Sequence, residues 1–333
     1  SQAARNGTIL AVEKLNLSGG INGRQVELLI FDDENDQNKV REGVKFLSNA
    51  GAAGIIGPIT SQMSVAAVPE ANQQKIVLVS PTSSTVNLTG KTDHFFRTIS
   101  TCEANARRLA IYATEKLGAK RFSILQDTSN IAFTQPWQHC FAGQIELSGG
   151  EIVAKEQYDS LEKSYSFLNL AEKLLRQDPD AILVLTNSID AAMFSQQIEK
   201  LVPDIHLLGS DWSSSGNLIQ YGGRSVEGFT FTTNLDMDSN APSFTRFKED
   251  YLARFGEPVM FPSVLAYEAS LTFFKALSKN QDPAQMAKVL TSIGKIEGLQ
   301  GEIVLDSYGD IVRSTYINEV KNGKRVCIFE STE

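Results

Sequence analysis

The stretch IIGPITSQMSVAAVPEANQQKIVLVSPTSSTVNL, residues 55–88, sets the fold class. It opens on the end of a short apolar run (53–56) and crosses the hydroxyl-bearing loop Gly57-Pro58-Ile59-Thr60-Ser61. A helical pattern follows from about Ser61 to Asn72, then a second apolar run over 76–80. That run ends in a second hydroxyl-rich loop, Ser80-Pro81-Thr82-Ser83-Ser84-Thr85. Short, fully apolar strands alternating with amphipathic helices indicate a parallel sheet covered on both faces.

The same rhythm extends in both directions. Residues 2–16 carry Ala4, Ala11 and Leu15 at helical spacing, with Gly19-Gly20 as the stop. Residues 25–31 read as a strand, and Asp36 as the cap of a helix whose apolar face is Val40, Val44 and Leu47. A helix over about 103–117 closes this block. The alternation restarts at Lys120, with strands at 122–126, 152–158, 181–186 and 205–209 and helices between them. After about Asn234 come helical stretches at 241–255, 262–279 and 283–293, broken by Pro258, Pro262 and Pro283. Strands at 301–306, 312–319 and 325–329 end the chain.

A helical tail of this length needs a host, and the first block, with fewer elements, supplies one. The expected architecture is α/β: two doubly wound, Rossmann-like lobes joined by a multi-strand hinge, with a ligand cleft between them. Residues 1–118 with 235–313 form lobe one, and 119–234 with 314–333 form lobe two. An α/β domain normally opens on a strand. The helical start at Ser1 therefore leads us to expect a first strand, and any export signal, upstream of residue 1.

Composition narrows the function. The chain has 333 residues, 42% hydrophobic and 21% charged, with a formal net charge of −8. Such a balance argues against a nucleic-acid partner, and no Lys/Arg run exceeds the pair Arg107-Arg108. No apolar stretch approaches the roughly 18 residues that span a bilayer. Cys102, Cys140 and Cys327 lie far apart with no CxxC and read as three buried thiols. His94, His139 and His206 are too scattered for a metal site, so no metal or cofactor is expected.

Catalytic signatures are missing as well. The glycine-rich run 51–57 leads from a helix into a strand, the wrong order for a dinucleotide site. The sequence contains no GxxxxGK[S/T], HExxH or GxSxG pattern. A binding protein is favoured over an enzyme.

The binding residues are sought where open parallel sheets bind ligands, beyond the carboxyl ends of the strands. In the first lobe Ser61 and Ser84 stand there, flanked by Thr60, Thr82 and Ser83. A hydroxyl beside the free N–H groups of a helix start holds a carboxylate without Lys or Arg. The plainer alternative makes Ser61 and Ser84 only N-caps and turn residues. In the second lobe Asp211 follows a strand at the equivalent position, with Trp212 beside it as a candidate apolar wall. Its alternative is a capping Asp. Ser129 and Asn187 also end strands facing the same side.

On these residues the chain resembles the periplasmic binding proteins of type I fold, in the branch of the leucine/isoleucine/valine-binding protein of ABC transporters. The run GGINGRQVELLIFDDENDQNKV (19–40) and the stretch 55–88 carry the resemblance, which covers nearly the whole chain. It implies that Ser61 and Ser84 grip a ligand carboxylate, and that the Thr82 carbonyl and Asp211 receive its ammonium. Relatives often carry an aromatic after the first strand of lobe two; this chain has Ser129, with Phe133 as the loose match, and Asn187 where a second aromatic may stand. The implied function is an extracytoplasmic solute-binding protein, periplasmic or at the cell surface, that closes on an α-amino acid with an apolar or aliphatic side chain. Its partner would be a membrane permease. The alternatives are an amine-free carboxylate or a urea- or amide-like ligand, or a role as the sensing domain of a transmembrane receptor.

Overall fold

The computed structural model describes residues 1–162 and 164–331. The chain divides into two compact units, Ser1–Thr101 with Met237–Val312, and Cys102–Asp236 with Arg313–Glu333. It passes between them after Thr101, Asp236 and Val312. The first passage thus precedes the helix over residues 102–115, where the sequence suggested a boundary at 118/119. The reason is packing. That helix buries Cys102, Ala106, Leu109, Ala110 and Ala113, and the elements it meets belong to the second unit.

In the first unit, α1 (Gln2–Leu17) is capped by Ser1, and α2 (Gln37–Asn49) by Asp36, whose Oδ1 accepts from the N–H groups of Asn38 and Lys39 at 2.7 and 3.0 Å. Strand β1 (Ile55–Ile56), helix α3 (Ser61–Gln74), β2 (Leu78–Ser80) and β3 (Phe95–Arg97) follow, the three strands parallel in the order β1-β2-β3. Val40 and Val44 of α2, Met63 and Ala67 of α3, Leu78 and Phe95 form one apolar core.

The second unit opens with α4 (Cys102–Glu115), then β4 (Arg121–Asp127), α5 (Ile131–Leu147), β5 (Glu151–Tyr158), α6 (Phe167–Leu175), β6 (Ala181–Leu185), α7 (Ser188–Leu201), β7 (His206–Gly209), α8 (Gly216–Gly222) and β8 (Thr230–Thr233). The chain returns to the first unit for α9 (Pro242–Phe255), α10 (Phe261–Lys279), α11 (Met286–Thr291) and the antiparallel pair β9 (Lys295–Glu297) and β10 (Glu302–Val304). There α10 packs on α1 and on β1 and β2. Strands β11 (Thr315–Lys321) and β12 (Lys324–Ser331) complete a seven-stranded sheet in the second unit, in the order β12-β11-β8-β7-β6-β4-β5. Its five strands from β8 to β5 are parallel; β11 runs antiparallel to both neighbours.

Several sequence expectations shift. Residues 25–31 are not a strand: no ladder includes them, and Leu29, Ile30 and Phe31 are exposed. An apolar extended segment becomes a strand only when a neighbour supplies its hydrogen bonds. The helix expected over 283–293 is a 3-10 turn, Pro283–Gln285, running into the short α11, because Pro283 with Asp282 as cap sets a tight first turn. Cys102 is buried, but Cys140 is only partly so and Cys327 is exposed, the latter because β12 lies at the edge of its sheet and is largely open to solvent.

Candidate functional site

At the carboxyl ends of β1 and β2, two loops of the first unit are tied together by short polar contacts. Ser80 Oγ donates to the Pro58 carbonyl at 2.6 Å and accepts from the Ser83 N–H at 3.2 Å. Thr82 Oγ1 donates to the Ile59 carbonyl. The buried hydroxyls of Ser83 and Ser64, the latter on the first turn of α3, lie 2.5 Å apart.

The capping roles then fall on neighbours of the two candidate serines. Thr60 is the N-cap of α3, its Oγ1 accepting from the Met63 N–H at 3.3 Å. Thr85 caps the 3-10 turn Val86–Leu88 through the Asn87 N–H at 3.2 Å. Ser61 therefore sits at the first helical position, where the backbone N–H has no intrahelical acceptor. Ser84 is almost fully buried, and its Oγ has no hydrogen-bond partner among the described residues. A buried hydroxyl without a partner is costly. Its neighbour Ser83 meets Ser64 on the first turn of α3, a helix start whose dipole favours an anion.

Behind this loop lies a residue that the sequence reading passed over. Arg97, at the end of β3, is completely buried. Its Nη1 donates to the carbonyls of Thr85 at 2.7 Å and Ser83 at 3.4 Å, and its Nη2 to Thr89 Oγ1 at 2.6 Å. Asp310 balances its charge at 2.6 Å. The visible signal was an Arg inside an otherwise apolar strand, a position that requires a partner.

In the second unit the carboxyl ends of β4, β6 and β7 carry polar groups. Asp211 begins the 3-10 turn Asp211–Ser213 after β7 and is almost fully buried. Its Oδ1 has no partner among the described residues, and the cap positions of this turn and of α8 are held by Ser210 and Ser215 instead. Burial pushes its carboxyl up to about 6, against the N–H groups of Asp211 and Trp212, which pull it down. Trp212 meets Phe133, from the first turn of α5, edge to face with ring centroids 5.9 Å apart. A buried carboxyl with one oxygen left unpaired, beside an aromatic pair, suits an ammonium group next to apolar surface.

The other residues expected in this unit are more committed. Asn187 caps α7, accepting from the N–H groups of Ile189 and Asp190 at 3.0 Å each and donating to Asp190 Oδ2 at 3.0 Å. Tyr158, which the sequence reading placed only in a strand, donates to the same carboxylate at 2.8 Å, and burial raises both groups. Ser129 accepts from the Ser160 hydroxyl at 2.9 Å, while its N–H donates to Asp127. Among the described residues there is no group of three or more His, Cys, Asp or Glu placed to hold a metal ion, and no helix is long and apolar enough to cross a membrane.

The Leu/Ile/Val-binding protein BraC3 of Rhizobium johnstonii is 21% identical over 94% of this chain and 84% of its own length. The crystal structure of the leucine-binding protein LivK from Thermotoga maritima superposes with a TM-score of 0.90 at 23% identity, over 99% of this chain and 93% of that one. A solute-binding protein of an ABC transporter from R. palustris, solved in complex with benzoate, has a TM-score of 0.87 at 18% identity, over 99% of this chain and 91% of that one. The family model described as periplasmic binding protein matches residues 1–325. The chain belongs to the periplasmic binding protein family; its fold is the type I fold, and Leu/Ile/Val-binding proteins are among the proteins it resembles.

Proposed function

We propose that the chain is the extracytoplasmic solute-binding component of an ABC transporter and that it binds an α-amino acid with an apolar side chain. The observation that carries this reading is the complementary chemistry of the two half-sites. The first unit offers hydroxyl and N–H groups at Ser61 and Ser84 to a carboxylate. The second offers a buried carboxylate, Asp211, whose Oδ1 has no partner among the described residues, to an ammonium, with Phe133 and Trp212 alongside as apolar surface. The ligand's carboxylate docks on Ser61 and Ser84, and its ammonium engages Asp211 and the Thr82 carbonyl. Thr60 and Ser83 support the first contact; Ser129 and Asn187 frame the second. Each charge-assisted hydrogen bond contributes about 1.5–3 kcal/mol in a dry site. A contact made in only one conformation shifts the protein toward it, and a membrane permease reads that state.

A second reading, an amine-free carboxylate ligand, is favoured by the benzoate complex of the R. palustris neighbour and by the raised pKa of Asp211, which makes a neutral carboxyl accessible. Titration calorimetry on ligand-stripped protein separates the two, with a panel of amino acids and benzoate, repeated on Asp211→Ala. Loss of amino-acid binding in the variant supports the first reading. Benzoate binding that ignores the substitution, with no amino acid bound by wild type, supports the second.

A further inference from the structure

We infer that Arg97 is a positioning residue for the carboxylate half-site and aims the Ser84 N–H at the ligand from behind the loop. The argument starts from the planar trans peptide, in which a carbonyl and the N–H of the next residue point in opposite directions. Arg97 Nη1 receives the carbonyls of Ser83 and Thr85, at 3.4 and 2.7 Å. The Ser83–Ser84 and Thr85–Val86 peptide units therefore turn their oxygens toward the guanidinium, and the N–H groups of Ser84 and Val86 face away from it. No side chain of the loop itself enforces that orientation: Thr82 is spent on Ile59, Ser83 on Ser64 and Thr85 on its own turn.

The guanidinium is in turn held rigidly. It is completely buried, donates to Thr89 Oγ1 at 2.6 Å, and pairs with Asp310 at 2.6 Å. Asp310 also accepts from the Gly90 N–H at 2.9 Å, and the Arg97 N–H donates to the Gly309 carbonyl at 3.0 Å. Gly309 is required there: its φ is +84°, and a Cβ would lie 2.4 Å from the Phe96 ring. A planar fork with fixed donors is the side chain suited to gripping two carbonyls at once; a Lys ammonium is not.

The ligand arm of the test rests on the proposed amino-acid function, whereas the structural arm does not. In crystals of ligand-free Arg97→Met, the Ser83–Ser84 peptide should rotate relative to wild type; an unchanged peptide plane overturns the inference. Should the Met variant not fold, Arg97→Lys takes its place, with the same two outcomes. In titrations, wild type should prefer L-leucine to L-leucinamide, whose amide replaces the carboxylate. The variant should lose L-leucine affinity by about tenfold or more and leave L-leucinamide nearly unchanged. Equal losses for both would mean that Arg97 only stabilises the unit, and would overturn the inference. If wild type binds neither compound, the amino-acid function fails, and the crystal arm alone decides the role of Arg97.

Discussion

Asn105 and Asn234, 129 positions apart in the chain, exchange side-chain hydrogen bonds at 3.0 and 3.2 Å inside the second unit. Thr315 Oγ1 donates to Asn105 Oδ1 at 2.8 Å, and Asn234 Nδ2 donates to the Ser314 carbonyl at 3.1 Å. The cluster thus pins three segments of the unit, each within a few residues of a point where the chain passes to the other unit. Asn105→Ala leaves the buried amide of Asn234 and the hydroxyl of Thr315 short of partners. The expected cost is about 2–3 kcal/mol, read by urea unfolding followed through a probe in the second unit. A change under about 0.5 kcal/mol would show that the cluster is replaceable by solvent.

Asp211 makes the proposed binding depend on pH. Burial holds its carboxyl at about 6, above the ordinary 3.8, so the folded chain takes up this proton more readily than the unfolded one. Its contribution to stability is therefore fully present below about pH 3.8 and declines as pH rises through about 6. Ligand binding runs the other way, because an ammonium needs the ionised form. L-leucine affinity should plateau above pH 7 and weaken by about tenfold per pH unit below about 6. In Asp211→Asn the dependence of affinity should vanish, and the stability profile should lose this component while keeping those of other carboxyls such as Asp190. A wild-type affinity that stays flat between pH 7 and 5 would argue that the ammonium is held elsewhere.

Ser84 and Thr60 should respond in opposite senses. Ser84→Ala removes a buried hydroxyl that has no partner, so the ligand-free protein should keep its stability within about 0.5 kcal/mol. L-leucine binding should weaken by about tenfold or more. Thr60→Ala deletes the cap of α3 and should cost about 1 kcal/mol of stability. Thermal unfolding and titration of both variants provide the check. A Ser84→Ala protein as destabilised as Thr60→Ala would return Ser84 to a purely structural role.

How far the sequence was legible follows from the range of each interaction. Helix α2 was readable because Asp36, Val40, Val44 and Leu47 are all local, and the cap forms as the pattern requires. Residues 25–31 misled because alternation and apolarity describe an extended segment, whereas a strand also needs a neighbour that composition does not reveal. The three-residue β3 was hidden by its own Arg97, whose partner Asp310 lies far along the chain. At the site, the loops and Asp211 were legible as positions at strand ends. Which of two adjacent hydroxyls caps and which is left over, Thr60 or Ser61, Thr85 or Ser84, was not, because one backbone torsion decides it. The Asn105–Asn234 cluster was beyond reach altogether, since nothing local distinguishes a buried Asn from an exposed one.

Trp212 tests the apolar part of the proposed ligand. It is partly exposed and meets the buried Phe133 edge to face, at 5.9 Å and 87°. Such a pair contributes about 0.5–1.5 kcal/mol beyond the area it buries, so Trp212→Ala should destabilise the second unit by at least that much. Ligand selectivity carries the sharper signal. A wall next to Asp211 is felt by a ligand in proportion to its side-chain area, at about 0.8 kcal/mol per buried CH2. Trp212→Ala should therefore weaken L-leucine more than L-alanine, lowering their affinity ratio by about tenfold or more. Trp212→Phe, which keeps an aromatic ring opposite Phe133, should recover much of that ratio. Parallel titrations of the three proteins measure it. If L-leucine and L-alanine weaken equally in Trp212→Ala, the ring supports Phe133 and the fold of the unit without touching the ligand side chain.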